Sequence, residues 1–100
     1  MEQFPRRLLT VVTEAVLERE LLVEFEALGV RGYTITDARG KGGRGRRQSD
    51  WAQEGNIRIE IVCDGALAER VAARLRERYY DHYAMILFLQ DVSVLRPEKF

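Results

Sequence analysis

The sequence predicts an α+β domain in which two helices back one face of a four-stranded antiparallel sheet. Three observations carry that reading. The hydrophobic pattern alternates between strand and helix spacing in the order strand, helix, strand, strand, helix, strand. The chain has 100 residues, which is one domain over 1–100, enough to bury roughly two-thirds of the unfolded surface around a single core. Between the second and third strands lies one long polar connection, residues 39–55, far richer in glycine and arginine than the rest.

The first strand is Leu8–Thr13, β-branched and apolar on both faces except at Thr10, with Pro5 upstream where a strand can begin. From Glu14 the spacing becomes helical. Leu17, Leu21, Phe25 and Leu28 form one stripe, while Glu18, Glu20, Glu24 and Glu26 occupy other faces. Thr13 is the expected N-cap and Gly29 the expected stop, giving a helix of about four turns. Gly32–Asp37 returns to β-branched and aromatic chemistry. Asn56–Cys63 is the cleanest strand, with Ile57, Ile59, Ile61 and Cys63 pointing one way and Arg58 and Glu60 the other. Asp64 is placed to cap the second helix, whose stripe is Leu67, Val71, Leu75 and Tyr79. Tyr80–Tyr83 forms its exit. Ala84–Leu89 is again apolar on both faces and continues toward Leu95, with Pro97 ending it.

The βαββαβ order is the ferredoxin-like split pattern. Two helices cover only one face of such a sheet, yet the first and last strands are apolar on both. Burial is worth roughly 25 cal/mol per Å², so a second copy of the chain is the economical cover for the other face, in a closed homo-oligomer.

Charge is unevenly placed. Five of the 16 basic residues fall between Arg39 and Arg47, leaving 11 to face all 16 acids, so a stretch of +5 is hidden within a net charge of zero. Glycine at this density costs folding entropy with no local return, unless the backbone N–H groups are to fold onto an anion while guanidinium groups close around it. No apolar run is long enough to span a bilayer, and no signal-peptide pattern follows Met1, so no membrane insertion and a cytoplasmic location are expected. A lone Cys63 fits a reducing compartment, and with His82, the only histidine, it is too little for a structural metal site. No nucleophile–base constellation is visible, so the chain is read as non-enzymatic.

The residues Thr13-Glu14, Gly32-Tyr33-Thr34 and Gly40-Lys41-Gly42-x-Arg44-x-x-Arg47, followed by a strand of alternating isoleucines, resemble the PII-like signalling proteins. The similarity runs from Arg7 to Leu95. Its nearest branch is the bicarbonate-linked, carboxysome-associated one. Nitrogen-type members carry a glycine-rich loop before the last strand, whereas Tyr80–Ala84 has no glycine here, and no tyrosine lies between Thr34 and Asn56. The resemblance implies a homotrimer with adenine nucleotide, ADP or AMP, in the clefts between subunits. It implies that 39–55 is a T-loop whose order follows the ligand. It further implies a role in inorganic-carbon uptake or fixation, with a bicarbonate transporter or a carboxysome-related protein as partner.

For the nucleotide, Lys41, Arg44 and Arg47, with Gly40 and Gly42 between them, are the natural phosphate donors, since arginine gives fork-shaped, charge-assisted contacts. The base is expected against the sheet edge, read by the backbone of Tyr33-Thr34 and Ile59-Glu60-Ile61, with apolar cover from a neighbour's Leu87, Phe88 and Leu89. Glu14 has two readings, a ribose contact or a partner for the helix dipole. Bicarbonate, a planar anion suited to an arginine fork, is assigned to Arg44, Arg47 or Arg96. Trp51 either anchors a partner protein or folds back on its own subunit.

Two other functions fit this fold class less well. A nucleic-acid-binding domain using the basic loop would carry stacking aromatics on its third strand, where this chain has Ile57-Arg58-Ile59-Glu60-Ile61. An acylphosphatase-like enzyme needs a phosphate cradle after the first strand, and Thr13-Glu14-Ala15 offers no arginine.

Overall fold

The computed structural model describes residues 1–41 and 55–100. In chain order the elements are β1 (Phe4–Glu14), a 3₁₀ turn (Ala15–Leu17), α1 (Glu18–Leu28), β2 (Thr34–Ala38), β3 (Asn56–Cys63), α2 (Gly65–Tyr79), β4 (Met85–Val94) and a final 3₁₀ turn (Pro97–Lys99). The four strands form one antiparallel sheet in the order β2-β3-β1-β4. This is the predicted ferredoxin-like arrangement.

Strand alternation divides the sheet into two chemically different faces. Leu9, Val11 and Thr13 stand in register with Ile61, Ile59 and Ile57 on one side and with Leu89, Leu87 and Met85 on the other. This face meets Leu17, Leu21 and Phe25 from the first helical segment and Leu67, Val71, Leu75 and Tyr79 from α2, forming the core. The opposite face carries Leu8, Thr10 and Val12 of β1, Arg58, Glu60 and Val62 of β3, and Ile86 and Phe88 of β4.

Several boundaries differ from expectation, each for a local reason. β1 begins at Phe4 rather than Leu8, because β4 runs on to Val94 and pairs with it there. Pro5 is tolerated in that extension because β3 reaches only as far as Arg7, so the strand has a neighbour on one side alone. Thr13 is not an N-cap. It belongs to β1, its hydroxyl donates to the Ala84 carbonyl at 2.8 Å, and the helix begins as a 3₁₀ turn with no side-chain cap. α1 is correspondingly about three turns, closed by Gly29 in the left-handed region (φ 93°). β2 starts at Thr34 rather than Gly32; Tyr33 leans on Phe25 instead, ring centroids 6.1 Å apart. β3 and the Asp64 cap, whose Oδ1 accepts the Leu67 N–H at 2.8 Å, match the sequence reading.

Glu24 is the other correction. Placed by periodicity off the apolar stripe, it is nonetheless buried between the helices, where Oε1 accepts from Arg74 (3.0 Å) and Oε2 from Arg78 (2.9 Å) and the Tyr79 hydroxyl (3.1 Å). Burial alone would raise the Glu24 pKa, but hydrogen bonds from Arg78, Arg74 and Tyr79 outweigh it and hold the carboxyl below its ordinary 4.5. Burial, then the bond to Glu24, pushes the Tyr79 phenol up to about 12. The two signs bracket a stability plateau. The Glu24 contribution is complete above the unfolded pKa and drains as pH falls through the lower folded value. The Tyr79 contribution is complete below pH 10 and is lost as pH rises toward 12. Glu24→Ala is expected to cost about 2–3 kcal/mol, less than for a fully buried pair because both arginine heads reach water. Urea titrations at fixed protein concentration test this, and the variant should also lose less stability than wild type between pH 7 and pH 3.

The last residues cross the end of the open face. Arg6 donates to the carbonyls of Pro97 (3.3 Å) and Phe100 (3.2 Å), and Arg31 to that of Glu98 (3.0 Å), with Val94 buried beneath. Elsewhere on that face Ile86 (57 % exposed) and Phe88 (40 % exposed) stay open to solvent. No helix of the described residues is long and apolar enough to cross a membrane.

Candidate functional site

One end of the sheet gathers the residues around which a site can be built. Ala38 is opposite Asn56, Asn56 is opposite Glu14, and Ala84 lies just before the start of β4. Gly40 and Lys41 follow β2 there and are exposed. Gly55 stands where the chain returns to β3, its φ of 81° in the region that only glycine enters without strain, and its carbonyl accepts the Ala15 N–H at 3.1 Å. Glu14 Oε2 accepts the Ala84 N–H at 2.9 Å. The chain thus brings Glu14, Gly40 and Lys41 to one end of the sheet. Gly42, Arg44, Arg47 and Trp51 lie outside the described residues.

The other predicted residues separate by face. Thr34, Glu60, Thr10 and Phe88 form one row across the open side. Thr10 is fully buried in the middle of it, its hydroxyl without a hydrogen-bond partner in the described chain. Arg58 and Glu60 pair at 3.4 Å beside it. The side chains of Ile59 and Ile61 are fully buried on the helix side; the β3 backbone from Asn56 to Glu60 is paired to β2 and β1 alike, and Ile61 lies beyond the β2 pairing. Leu87 likewise packs on the core, so the apolar surface that β4 offers is Phe88 with Ile86, a residue the sequence reading passed over although it shares parity with Phe88. Tyr33, half-exposed against Phe25, precedes the edge strand on the helix side.

Arg96 is at the wrong end for Lys41. It follows Val94, which pairs with Phe4, whereas Gly40 and Lys41 follow the row containing Glu14. The intervening strand length is on the order of 25–30 Å, so one chain cannot place both on the same small anion. Arg96 is exposed and sits 3.9 Å from Glu98.

The family model for nitrogen regulatory protein P-II matches residues 6–99. This chain belongs to the P-II family. Proteins of this family are regulatory, and among solved structures a Thermus thermophilus protein assigned as PII-like in signalling is 45% identical, aligned over 100% of this chain and 99% of that one with a TM-score of 0.84. CPII, a PII-like protein from Thiomonas intermedia K12, is 23% identical over 99% of this chain and 97% of its own in a structure bound to ADP and bicarbonate, with a TM-score of 0.85. A second CPII structure, bound to ADP, AMP and bicarbonate, aligns over 99% of this chain and 100% of its own at 20% identity and a TM-score of 0.81. CPII and the P-II chain described here share a fold. Residues 39–55 connect β2 to β3.

Proposed function

We propose that this P-II protein is a cytoplasmic, non-enzymatic signal-transduction protein that assembles as a homotrimer and binds ADP or AMP in the clefts between subunits. Bicarbonate binds jointly with the nucleotide, and the ordered or disordered state of the T-loop reports inorganic-carbon status to a transporter or carboxysome-related partner. The observation that carries this reading is the convergence of Gly40, Lys41, Gly55, Glu14 and Ala84 at one sheet end, from which a segment with Arg44, Arg46 and Arg47 departs. The full-length 45% identity to a PII-like signalling protein supports it, as does the ligand set of CPII. The exposed Ile86 and Phe88 support the assembly, since a copy seated there removes apolar area from water. Because Arg96 and Lys41 are at opposite ends of one chain, Arg44 and Arg47 are preferred for bicarbonate; Arg96 can take part only from a neighbouring copy.

Energetics make such a loop responsive. Ordering about eight residues costs on the order of 8–16 kcal/mol of backbone entropy, while four charge-assisted hydrogen bonds return roughly 6–12 kcal/mol. The near cancellation lets one additional anion decide the outcome. Isothermal titration of ADP with and without bicarbonate tests the coupling. An ADP affinity raised about 5-fold or more by saturating bicarbonate is expected, with reciprocal strengthening of bicarbonate by ADP. Equal affinities would remove bicarbonate from the account.

A further inference from the structure

The peptide groups of Ala84 are held from both sides by consecutive side chains at the end of β1. Glu14 Oε2 accepts the Ala84 N–H at 2.9 Å, and the Thr13 hydroxyl donates to the Ala84 carbonyl at 2.8 Å. Thr13 is fully buried in doing so. The next residue, Ala15, donates its N–H to Gly55 at 3.1 Å. Three successive residues therefore tie the turn that leads into β4 to the point where the T-loop returns to β3. The far side of the turn is pinned as well: the amides of His82 and Tyr83 both donate to the Tyr79 carbonyl (3.1 and 3.0 Å), and the Tyr79 and Tyr83 rings meet at 6.0 Å.

This turn, Tyr80–Ala84, contains no glycine, so it cannot wrap its own N–H groups around a phosphate as a glycine-rich loop does. What fixes the strand-side end of this turn is the Thr13–Glu14 pair, which holds the Ala84 peptide groups as a wall. We infer that Thr13 and Glu14 are positioning residues for the adenylate site, acting through the Ala84 peptide and the adjoining Ala15–Gly55 bond to set the wall and the T-loop base relative to each other. The inference rests on the nucleotide reading given above.

The test uses the full chain with ADP as probe in four variants, Glu14→Ala, Glu14→Gln, Thr13→Val and Thr13→Ser. Titration gives affinity, light scattering gives assembly state, and amide exchange at Ala84 and Ala15 reports the wall directly. Glu14→Ala is expected to weaken ADP about 10-fold and Thr13→Val about 3- to 10-fold, with the Ala84 and Ala15 amides losing protection while the oligomer persists. Glu14→Gln and Thr13→Ser keep an acceptor and a donor in place and should bind within about 2-fold of wild type. Two results overturn the inference: Glu14→Ala binding ADP as tightly as wild type, or Glu14→Gln binding as poorly as Glu14→Ala, which would make the carboxylate charge itself a ligand contact. If wild type binds no ADP at all, the nucleotide reading fails first and this inference falls with it, an outcome separable from the others because no variant is then needed to see it.

Discussion

Phe88→Glu converts the assembled protein into monomers that no longer bind ADP. Phe88 stands on the sheet face that the helices do not cover, in the row of Thr34, Glu60 and Thr10, two residues along β4 from the exposed Ile86. In a closed trimer this surface is interior to the assembly. A carboxylate introduced there is desolvated in every copy, at a cost of several kcal/mol each unless it finds a partner. Arg58, a cation of that face, already pairs with Glu60. The penalty recurs three times per assembly, and clefts formed between copies vanish with the copies. Phe88→Leu keeps the apolar contact and should remain assembled. Light scattering with ADP titration checks both variants, and a Phe88→Glu protein that stays oligomeric would move the subunit contact elsewhere.

Replacing Arg44 and Arg47 together by alanine lowers ADP affinity by at least about 100-fold and leaves assembly intact. A hydrogen bond to a charged group contributes roughly 1.5–3 kcal/mol, so removing two guanidinium forks at once corresponds to a factor on the order of 10²–10⁴. The oligomer is expected to persist because the proposed assembly places the subunit contact on the apolar open face, away from the basic segment. Lysine at both positions should restore only part of the affinity, since an ammonium keeps the charge but not the planar fork. A double alanine variant within about 5-fold of wild type would take the phosphate contacts away from Arg44 and Arg47.

Much of the fold was legible because it follows from periodicity. The isoleucine alternation of Asn56–Cys63 and the Leu67–Tyr79 stripe each match a buried face, and Asp64 and Gly29 mark helix ends by mechanisms that act within a few residues. What periodicity could not supply was anything set by pairing at a distance. The β1 extension to Phe4 depends on how far β4 continues, and the burial of Glu24 depends on Arg74, Arg78 and Tyr79 arriving from α2. The site shows the same division. The Gly-Lys-Gly-x-Arg-x-x-Arg spacing was readable in the chain, but that the β3 backbone from Asn56 to Glu60 is paired on both sides required knowing that β3 lies inside the sheet. Nothing local in Thr13-Glu14 pointed to Ala84, 70 residues away from Glu14.

The central claim is that adenylate sits between identical copies of this P-II chain, and native mass spectrometry of the purified protein with saturating ADP tests it most directly. The account predicts a particle of three chains carrying up to three ADP molecules, with nucleotide absent from any dissociated monomer. Single chains that retain ADP, or a three-chain particle that binds none, would contradict it.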